Sequence, residues 1–551
     1  VAAGDRPLSA HAFPDPDRGW KLGLGLGAAA LLWLFLGTAF AALLASGAGE
    51  TSRFAALLGD PYLRGVAVFT LEQAALSALL SVAGALPLAL ALHRTRFFGR
   101  RAVLRLFLLP QALPVLVGAL GILAVWGRGG IVSEALAALG LPRLDIYGLS
   151  GILLAHVFFN LPLATRMIFA SLDAVPAESW RLAGQLGMPP GAVFRLVEWP
   201  AARQALPGAL SLAFAVCVTS FTLVLVLGGG PGATTLEVEI YQSLRADFDP
   251  NRAVALSLAQ VLLAAVFAGA AARLGGRIDA GFALGRPVRR FDRRGAGAHA
   301  FDTVVLTFGL GFVASPFAAI LVRGLRADLG RLLGEAGVLR AILTSSLVAF
   351  AAAVLGLLVA LALLLGEEAV SRRGRRGGAL LLAASGQLVL VVPPLVIGAG
   401  WFLALRGWTD AFAFGPILVV ATNAVMTLPF TLRILGPPLR EALQRHERLA
   451  AHLALRGWTR FRHVELPALG RPLGLAFALA LALSLGDLGV AALFGDQDFT
   501  TLPFLLLQRM GSYRTSDAAG LALILGALSL LLVLGAEGLF ARRRGSDTDA
   551  D

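Results

Sequence analysis

Apolar residues along this chain gather in long blocks separated by short polar stretches. The blocks fall near residues 22–44, 66–92, 103–126, 147–168, 205–227 and 253–274, and again near 302–322, 341–366, 379–405, 413–435, 472–494 and 518–541. A helix crosses the hydrocarbon layer in roughly 20 apolar residues, and each block has about that length. The pattern therefore predicts an all-α polytopic membrane protein of about twelve transmembrane helices. The first block follows Arg18 and Lys21 and is too long for the core of a signal peptide, so it reads as an uncleaved first span. Pro110 and Pro114 in the third block, and Pro393 and Pro394 in the ninth, predict kinks, because proline removes a helical hydrogen bond.

The polar stretches set the orientation. Arg94, Arg96, Arg100, Arg101 and Arg105 follow the second block, and Arg273, Arg277, Arg286, Arg289, Arg290, Arg293 and Arg294 join the sixth to the seventh. Arg372, Arg373, Arg375 and Arg376 follow the eighth, and Arg542 to Arg544 the last. All fall on one side, which the positive-inside bias makes cytoplasmic, and both termini go with it. Arg323, Arg326, Arg331 and Arg340 fall on the outer side, interleaved at helical spacing with Leu325, Leu329, Leu332 and Leu333. That pattern predicts a helix lying on the outer membrane surface.

Two of the cytoplasmic stretches are copies of one another. RLAGQLGMPPGAVFRLVEWP at 181–200 and RLAAHLALRGWTRFRHVELP at 448–467 share Arg-Leu-Ala, a Leu, Phe-Arg, Val-Glu and a closing Pro at a constant offset of 267 positions. The same offset relates Pro162 to Pro429 and Arg166 to Arg433. Register held through a loop and into the apolar block before it indicates an internal duplication. With six spans, an even number, in each half, the two repeats run parallel, related by an axis along the membrane normal. The chain then divides into a cytoplasmic lead (1–20), a first half (21–274) with its loop at 173–203, a linker (275–299), a second half (300–541) with its loop at 440–471, and a cytoplasmic tail (542–551).

Each loop reads as a short helix, a break and a second short helix. Arg181 to Leu186 favour helix, Gly187 to Pro190 stop it, Ala192 to Val197 resume it, and Pro200 marks the return to the membrane. An element of this kind is stiff, and Leu182, Leu186, Phe194 and Val197 give it an apolar face for seating in a partner. Two copies suit a partner with two equivalent grooves. The plainer alternative, a basic loop that only fixes topology, requires Lys or Arg but not Phe, Val-Glu and Pro in register.

Composition narrows the functional classes. With 57% hydrophobic and 15% charged residues and a mean hydropathy of +0.77, a soluble domain is excluded. The net charge of +13 invites a nucleic-acid reading, but the basic residues sit in clusters between spans, where topology puts them. The one cysteine, Cys217, lies in an apolar run and reads as a packing residue. Only Lys21 of the 47 basic residues is lysine, and Leu follows it, so the chain contains no GxxxxGK[ST] phosphate loop. If ATP drives this protein, another subunit binds the ATP and its Mg. No residue reads as catalytic or as a metal ligand.

The duplicated loops resemble the EAA loops of ABC importer permeases, in which this element is the coupling helix that docks on the ATP-binding subunits. The family's Glu-Ala-Ala aligns here with Arg181-Leu182-Ala183 and Arg448-Leu449-Ala450, and Ala454 stands where the family and the first copy (Gly187) have glycine. Glu178 and Glu447 lie close enough to stand in for the missing acid. The resemblance implies a type I importer fold with docking through Arg181, Leu182, Ala183, Leu186, Gly187, Phe194, Val197 and Pro200. It implies the same for Arg448, Leu449, Ala450, Leu453, Phe461, Val464 and Pro467. The run from Ser220 to Gln260, with its GGGPGATT and its spacing of IYQ to DFDP, resembles the thiamine permeases of that superfamily. This implies import of thiamine and its phosphates across a bacterial inner membrane, with a periplasmic thiamine-binding protein outside and a homodimer of ATP-binding subunits inside.

A charged side chain at membrane depth costs about 2.5–3.5 kcal/mol on insertion scales, so each one there is a candidate for function. Asp487 is the clearest, and its repeat equivalent is Ser220, flanked by Thr219, Phe221 and Thr222. A carboxylate and aromatic faces between the halves favour a cationic cargo. Alternatively, Asp487 caps a neighbouring segment or meets water at the end of its span. Asn160, Gln111 and Gln387 are equally explained by hydrogen bonds between helices. The segment from Gly228 to Arg252, with Glu237, Glu239, Asp247 and Asp249, reads as an outer loop that receives a binding protein or folds back on its own bundle. Two rival functions remain open: a ferric-iron permease of the same architecture, and an ion-coupled secondary transporter with no ATPase partner.

Overall fold

The computed structural model describes residues 18–48, 59–273, 295–371, 376–387, 389, 392–406, 408 and 410–541, with no strand among them. The principal helices of the first half are α1 (Arg18–Ala48), α2 (Pro61–Arg94), α3 (Val115–Trp126), α4 (Leu149–Asp173), α5 (Ala177–Gln185), α6 (Trp199–Val218), α7 (Thr222–Leu227), α8 (Leu236–Arg245) and α9 (Pro250–Arg273). The second half supplies α10 (Ala296–Arg326), α11 (Leu329–Gly334), α12 (Ala336–Ser371), α13 (Pro394–Leu405), α14 (Gly415–Arg445), α15 (Glu447–His452), α16 (Gly470–Leu485), α17 (Gly489–Phe494), α18 (Leu502–Gly511) and α19 (Thr515–Ala541). The lead up to residue 17, the linker up to residue 294, the arginines at 372, 373 and 375 and the tail from residue 542 lie outside the described residues.

Ten of the described helices are long and apolar enough to cross a membrane, and an eleventh span is a pair, 457–468 with α16, bent by 72°. The count falls below twelve because the ninth block is broken; the third is also divided at its prolines but still supplies a span at 115–138. The ninth becomes Arg376–Gln387 and α13, which starts behind Pro393. The third becomes Arg100–Leu106, Leu109–Ala112 and α3, which starts behind Pro114. A proline at the first turn of a helix leaves no donor unsatisfied, so the helices restart where the prolines stand.

The duplication is visible in the packing. Within the first half α2 packs on α4, and α6 on both; within the second, α12 packs on α14, and α16 on both. The first helix of each half crosses to the other one. α1 lies against α12 and α13, and α10 against α2 and α3. Glycine permits these crossings at equivalent places: a Cβ on Gly121 would sit 2.8 Å from Pro316, and one on Gly400 would sit 2.4 Å from the Ala39 carbonyl oxygen. Neither separation is tolerable, so both helix pairs approach backbone to backbone.

A second symmetric feature lies where α8 and α18 begin. The Leu236 amide donates to Thr70 Oγ1 at 3.0 Å, and the Leu502 amide donates to Ser345 Oγ at 2.7 Å. In each half a hydroxyl on the second helix caps the short helix, so the segment after Gly228 folds back onto its own bundle. Glu237 and Glu239 are buried, whereas the glycines at 229, 230 and 232 and the tip at Ala246–Asp249 are exposed. The basic stretch expected on the outer side is divided: Arg323 and Arg326 end α10, Arg331 lies in the six-residue α11, and Arg340 lies in α12. Leu332 of α11 is buried, and Arg331 joins Glu335, Arg509 and Asp517 in a closed ring of alternating charge.

Candidate coupling loops and substrate path

The two loops share one backbone design. α5 and α15 each end in a left-handed residue, Gly187 at φ +58° and Ala454 at φ +48°. The residue after it donates back five positions, Met188 to the Ala183 carbonyl at 3.1 Å and Leu455 to the Ala450 carbonyl at 2.9 Å. This is the helix-ending arrangement in which the last carbonyls find donors and the chain turns sharply. After the turn each loop resumes as helix and widens by one residue into a π-turn, at Phe194–Glu198 and Phe461–Glu465. Such one-turn widenings re-aim the side chains that follow.

This geometry sorts the predicted loop residues into two groups. Leu182, Leu186, Leu449 and Leu453 are 55 to 67% exposed, and Arg181, Arg448, Gly187 and Pro467 are exposed with them. Ala183 and Ala450 are buried, and Val197, Val464 and Pro200 are half-buried. Phe461 is only 8% exposed and sits edge-on to Trp20 of α1, with ring centroids 6.2 Å apart. Phe194 is half-buried beside Trp199. The leucines therefore form the outward face, and the two phenylalanines turn inward, Phe461 onto α1. The sequence pattern alone predicts a single apolar face, because it does not record the turn that the break imposes on the second helix.

The acid of each Val-Glu pair carries a role that the motif did not reveal. Glu198 and Glu465 are both buried. Arg94 Nε donates to Glu198 Oε1 at 2.8 Å and its Nη2 to the other oxygen, forming a two-point clamp. Lys21 Nζ meets Glu465 Oε1 at 2.5 Å, with Arg460 Nε at 3.4 Å. A buried acid repeated at a constant offset was a signal available in the sequence. Its partners were not, since Lys21 lies 444 positions from Glu465.

Five of the six residues expected on a substrate path, all but Asn160, gather at breaks in the fifth span of each half. α6 stops at Val218 and resumes as α7 at Thr222; α16 stops at Leu485 and resumes as α17 at Gly489. Thr219, Ser220 and Phe221 occupy the first break, with Thr222 opening α7, and Asp487 occupies the second. The breaks face one another: a Cβ on Gly489 would lie 3.6 Å from the Phe221 ring and 3.8 Å from Asp487 Oδ1. Phe221 stacks edge-on against Tyr241 of α8 at 5.3 Å, which adds an aromatic ring that the sequence reading did not single out. Asp487 Oδ1 accepts the Gly489 amide at 3.1 Å and so caps α17, while Oδ2 is buried without a hydrogen-bond partner.

Other polar candidates turn away from this point. Thr219 donates to the Ala215 carbonyl of its own helix at 3.2 Å. Asn160 donates to Cys217 Sγ at 3.2 Å, inside the first half. Gln111 donates to the Phe159 carbonyl at 3.0 Å, tying the divided third span to α4. Gln73 and Gln260 donate to the successive carbonyls of Cys217 and Val218, at 2.9 and 3.2 Å, and so hold the end of α6 open where it breaks. Among the described residues no group of three or more His, Cys, Asp or Glu side chains is arranged to hold a metal ion.

Comparison with known proteins places this arrangement. The profile of the family described as binding-protein-dependent transport system inner membrane component matches residues 83–280 and 359–542, one block around each loop. A thiamine transport system permease protein of Brucella abortus is 49% identical over 94% of this chain and 95% of its own length. Its counterpart in Escherichia coli is 42% identical over 89% and 91%, and that of Haemophilus influenzae is 37% identical over 89% and 91%.

Proposed function

This chain belongs to the binding-protein-dependent transport system inner membrane components, and on that premise we propose that it is the membrane-spanning subunit that imports thiamine and its phosphates. One observation carries the reading. Two equivalent loops, one per half, present an exposed leucine pair (Leu182 with Leu186, Leu449 with Leu453) on the same turn-and-π-turn frame. That is the form required to engage two equivalent ATP-binding subunits. Both loops and both termini face the cytoplasm in this reading, following the arginine clusters, and ATP and Mg belong to the partner.

Closure of the ATP-binding pair would push both loops, and through the π-turns α6 and α16, to the breaks where Phe221 meets Gly489. Moving the two halves apart there opens a path past Asp487, Phe221 and Tyr241. A thiazolium cation passing this point gains the carboxylate oxygen that lacks a partner and two ring faces. On the outer side, the exposed tip at Ala246–Asp249 and the charge ring around Arg331 are available to a thiamine-loaded binding protein.

The test is ATP-dependent uptake of labelled thiamine by vesicles containing the chain with its ATP-binding subunit and binding protein. Accumulation that requires all three components supports the reading. Stimulation by an iron-loaded binding protein instead of a thiamine-loaded one would assign the iron cargo. Uptake driven by an ion gradient, with no ATP-binding subunit recovered, would make the chain a secondary transporter. The similarity to thiamine transport system permease proteins, which extends over about nine-tenths of the chain, favours neither rival.

A further inference from the structure

The buried glutamate at the root of each coupling loop is connected by charge to the first helix of the opposite half. In the second half the connection is direct: Glu465 meets Lys21, the chain's one lysine, at the cytoplasmic end of α1. Both groups are almost fully buried. The neighbouring Trp20 rests on Phe461 of the same loop, so α1 touches the π-turn at two points. In the first half the connection runs through Arg94, which clamps Glu198 and also lies 3.6 Å from Asp302 Oδ1 of α10. Asp302 is likewise buried. The arrangement is therefore the same in outline in both halves although the charges are distributed differently. Local packing alone does not require this, because neutral side chains would fill the same space without removing two charges from water.

We infer that Lys21 and Glu465 form a cross-half latch, with Arg94, Glu198 and Asp302 as its counterpart, which makes each coupling loop move together with the first helix of the other half. The inference rests on the reading of the loops as docking levers. Each first helix in turn lies along the other half, α1 on α12 and α13, and α10 on α2 and α3. A push received by one loop is thereby delivered to both halves, and the two breaks at the centre separate together. Lys21 and Glu465 are positioning residues in this scheme, touching neither cargo nor nucleotide.

The experiment measures thiamine taken up per ATP hydrolysed, in proteoliposomes of the full chain with its ATP-binding subunit and thiamine-loaded binding protein. Lys21→Met and Glu465→Gln should each lower that ratio at least fivefold while the ATP-binding subunit still co-purifies. A Lys21→Cys/Glu465→Cys chain carrying Cys217→Ser should show the same loss, and a short bis-maleimide joining the two cysteines should restore the ratio to within about twofold. Restoration is the readout that a merely structural pair would not give. An unchanged ratio in the single variants, or a crosslink that blocks uptake because the two points separate during the cycle, overturns the latch. If Lys21→Met fails to accumulate, the crosslink arm decides alone. Loss of the ATP-binding subunit from a Leu182→Asp/Leu449→Asp chain would show that docking stands whichever way the latch is decided.

Discussion

Ala454 holds a left-handed backbone at φ +48°, where the first loop has Gly187 at φ +58°. A residue with a Cβ pays roughly 1–2 kcal/mol for that conformation, and glycine does not. Ala454→Gly should therefore raise stability by somewhat less than this, about 0.5–1 kcal/mol once the freer unfolded chain is allowed for. Gly187→Ala should lower it by a similar amount; thermal unfolding of the purified protein measures both. Next to this turn, Leu182→Asp with Leu449→Asp should abolish capture of the ATP-binding subunit without loss of fold, because both side chains already face solvent. Phe461→Ala should instead destabilise by about 3–5 kcal/mol, as expected for an emptied aromatic site; comparing pull-down yield with unfolding temperature separates the two effects. Asp487→Asn should cut thiamine uptake at least tenfold with co-purification unchanged, since it removes the buried charge at the break and leaves its cap on α17 possible. Much of this was legible in the sequence. The duplication marked the loops, and Asp487, the clearest of the acids within the predicted spans, lies at a break. The inward turn of the phenylalanines was not, because a residue's face after a left-handed turn depends on backbone angles that no periodicity records.

At the scale of elements, the least legible stretch was 228–252. Its glycines and acids describe a solvent loop, yet Glu237 and Glu239 are buried on α8, with Gln260 donating to Glu237 at 3.4 Å and Tyr62 donating to Glu239 at 3.0 Å. Those partners come from α9 and α2, so the burial is a tertiary fact. The cap on α8 has the same origin. Thr235 stands at its N-cap, as Thr501 does for α18, but the hydroxyls that accept the first amides are those of Thr70 and Ser345. Replacing Thr70 by the nearly isosteric valine, or Ser345 by alanine, leaves a buried amide without an acceptor, a loss of about 1–3 kcal/mol. Thr70→Val and Ser345→Ala should accordingly lower the unfolding temperature and speed hydrogen exchange at Leu236 and Leu502 respectively, each in its own half only. Loss of protection in both halves from one substitution would contradict local capping. The broken third and ninth spans, by contrast, were announced by Pro114 and Pro393, because proline's missing donor acts wherever the chain is placed.

At the scale of the whole molecule, the two halves are joined less by the chain between residues 274 and 294 than by their exchanged first helices. α1 buries Leu32, Leu36, Ala39 and Leu43 in the shared core, and it approaches α13 so closely that only glycine fits at residue 400. In a membrane such contacts rest on packing and small residues, since lipid tails compete for any apolar face. A second half deprived of α1 would present a groove shaped for a helix backbone, a surface that lipid chains fill poorly. The fragments 1–274 and 295–551, expressed together, should therefore assemble and co-purify at a yield close to that of the intact chain. Expressing 49–274 with 295–551 should reduce recovery of the second fragment at least fivefold, although every residue of its own sequence is present. Full recovery of 295–551 without α1 would mean that each half folds as a closed unit, and the crossing helices would then be ornaments on two independent bundles. Recovery that fails even with 1–274 present would instead place the essential connection in the linker itself.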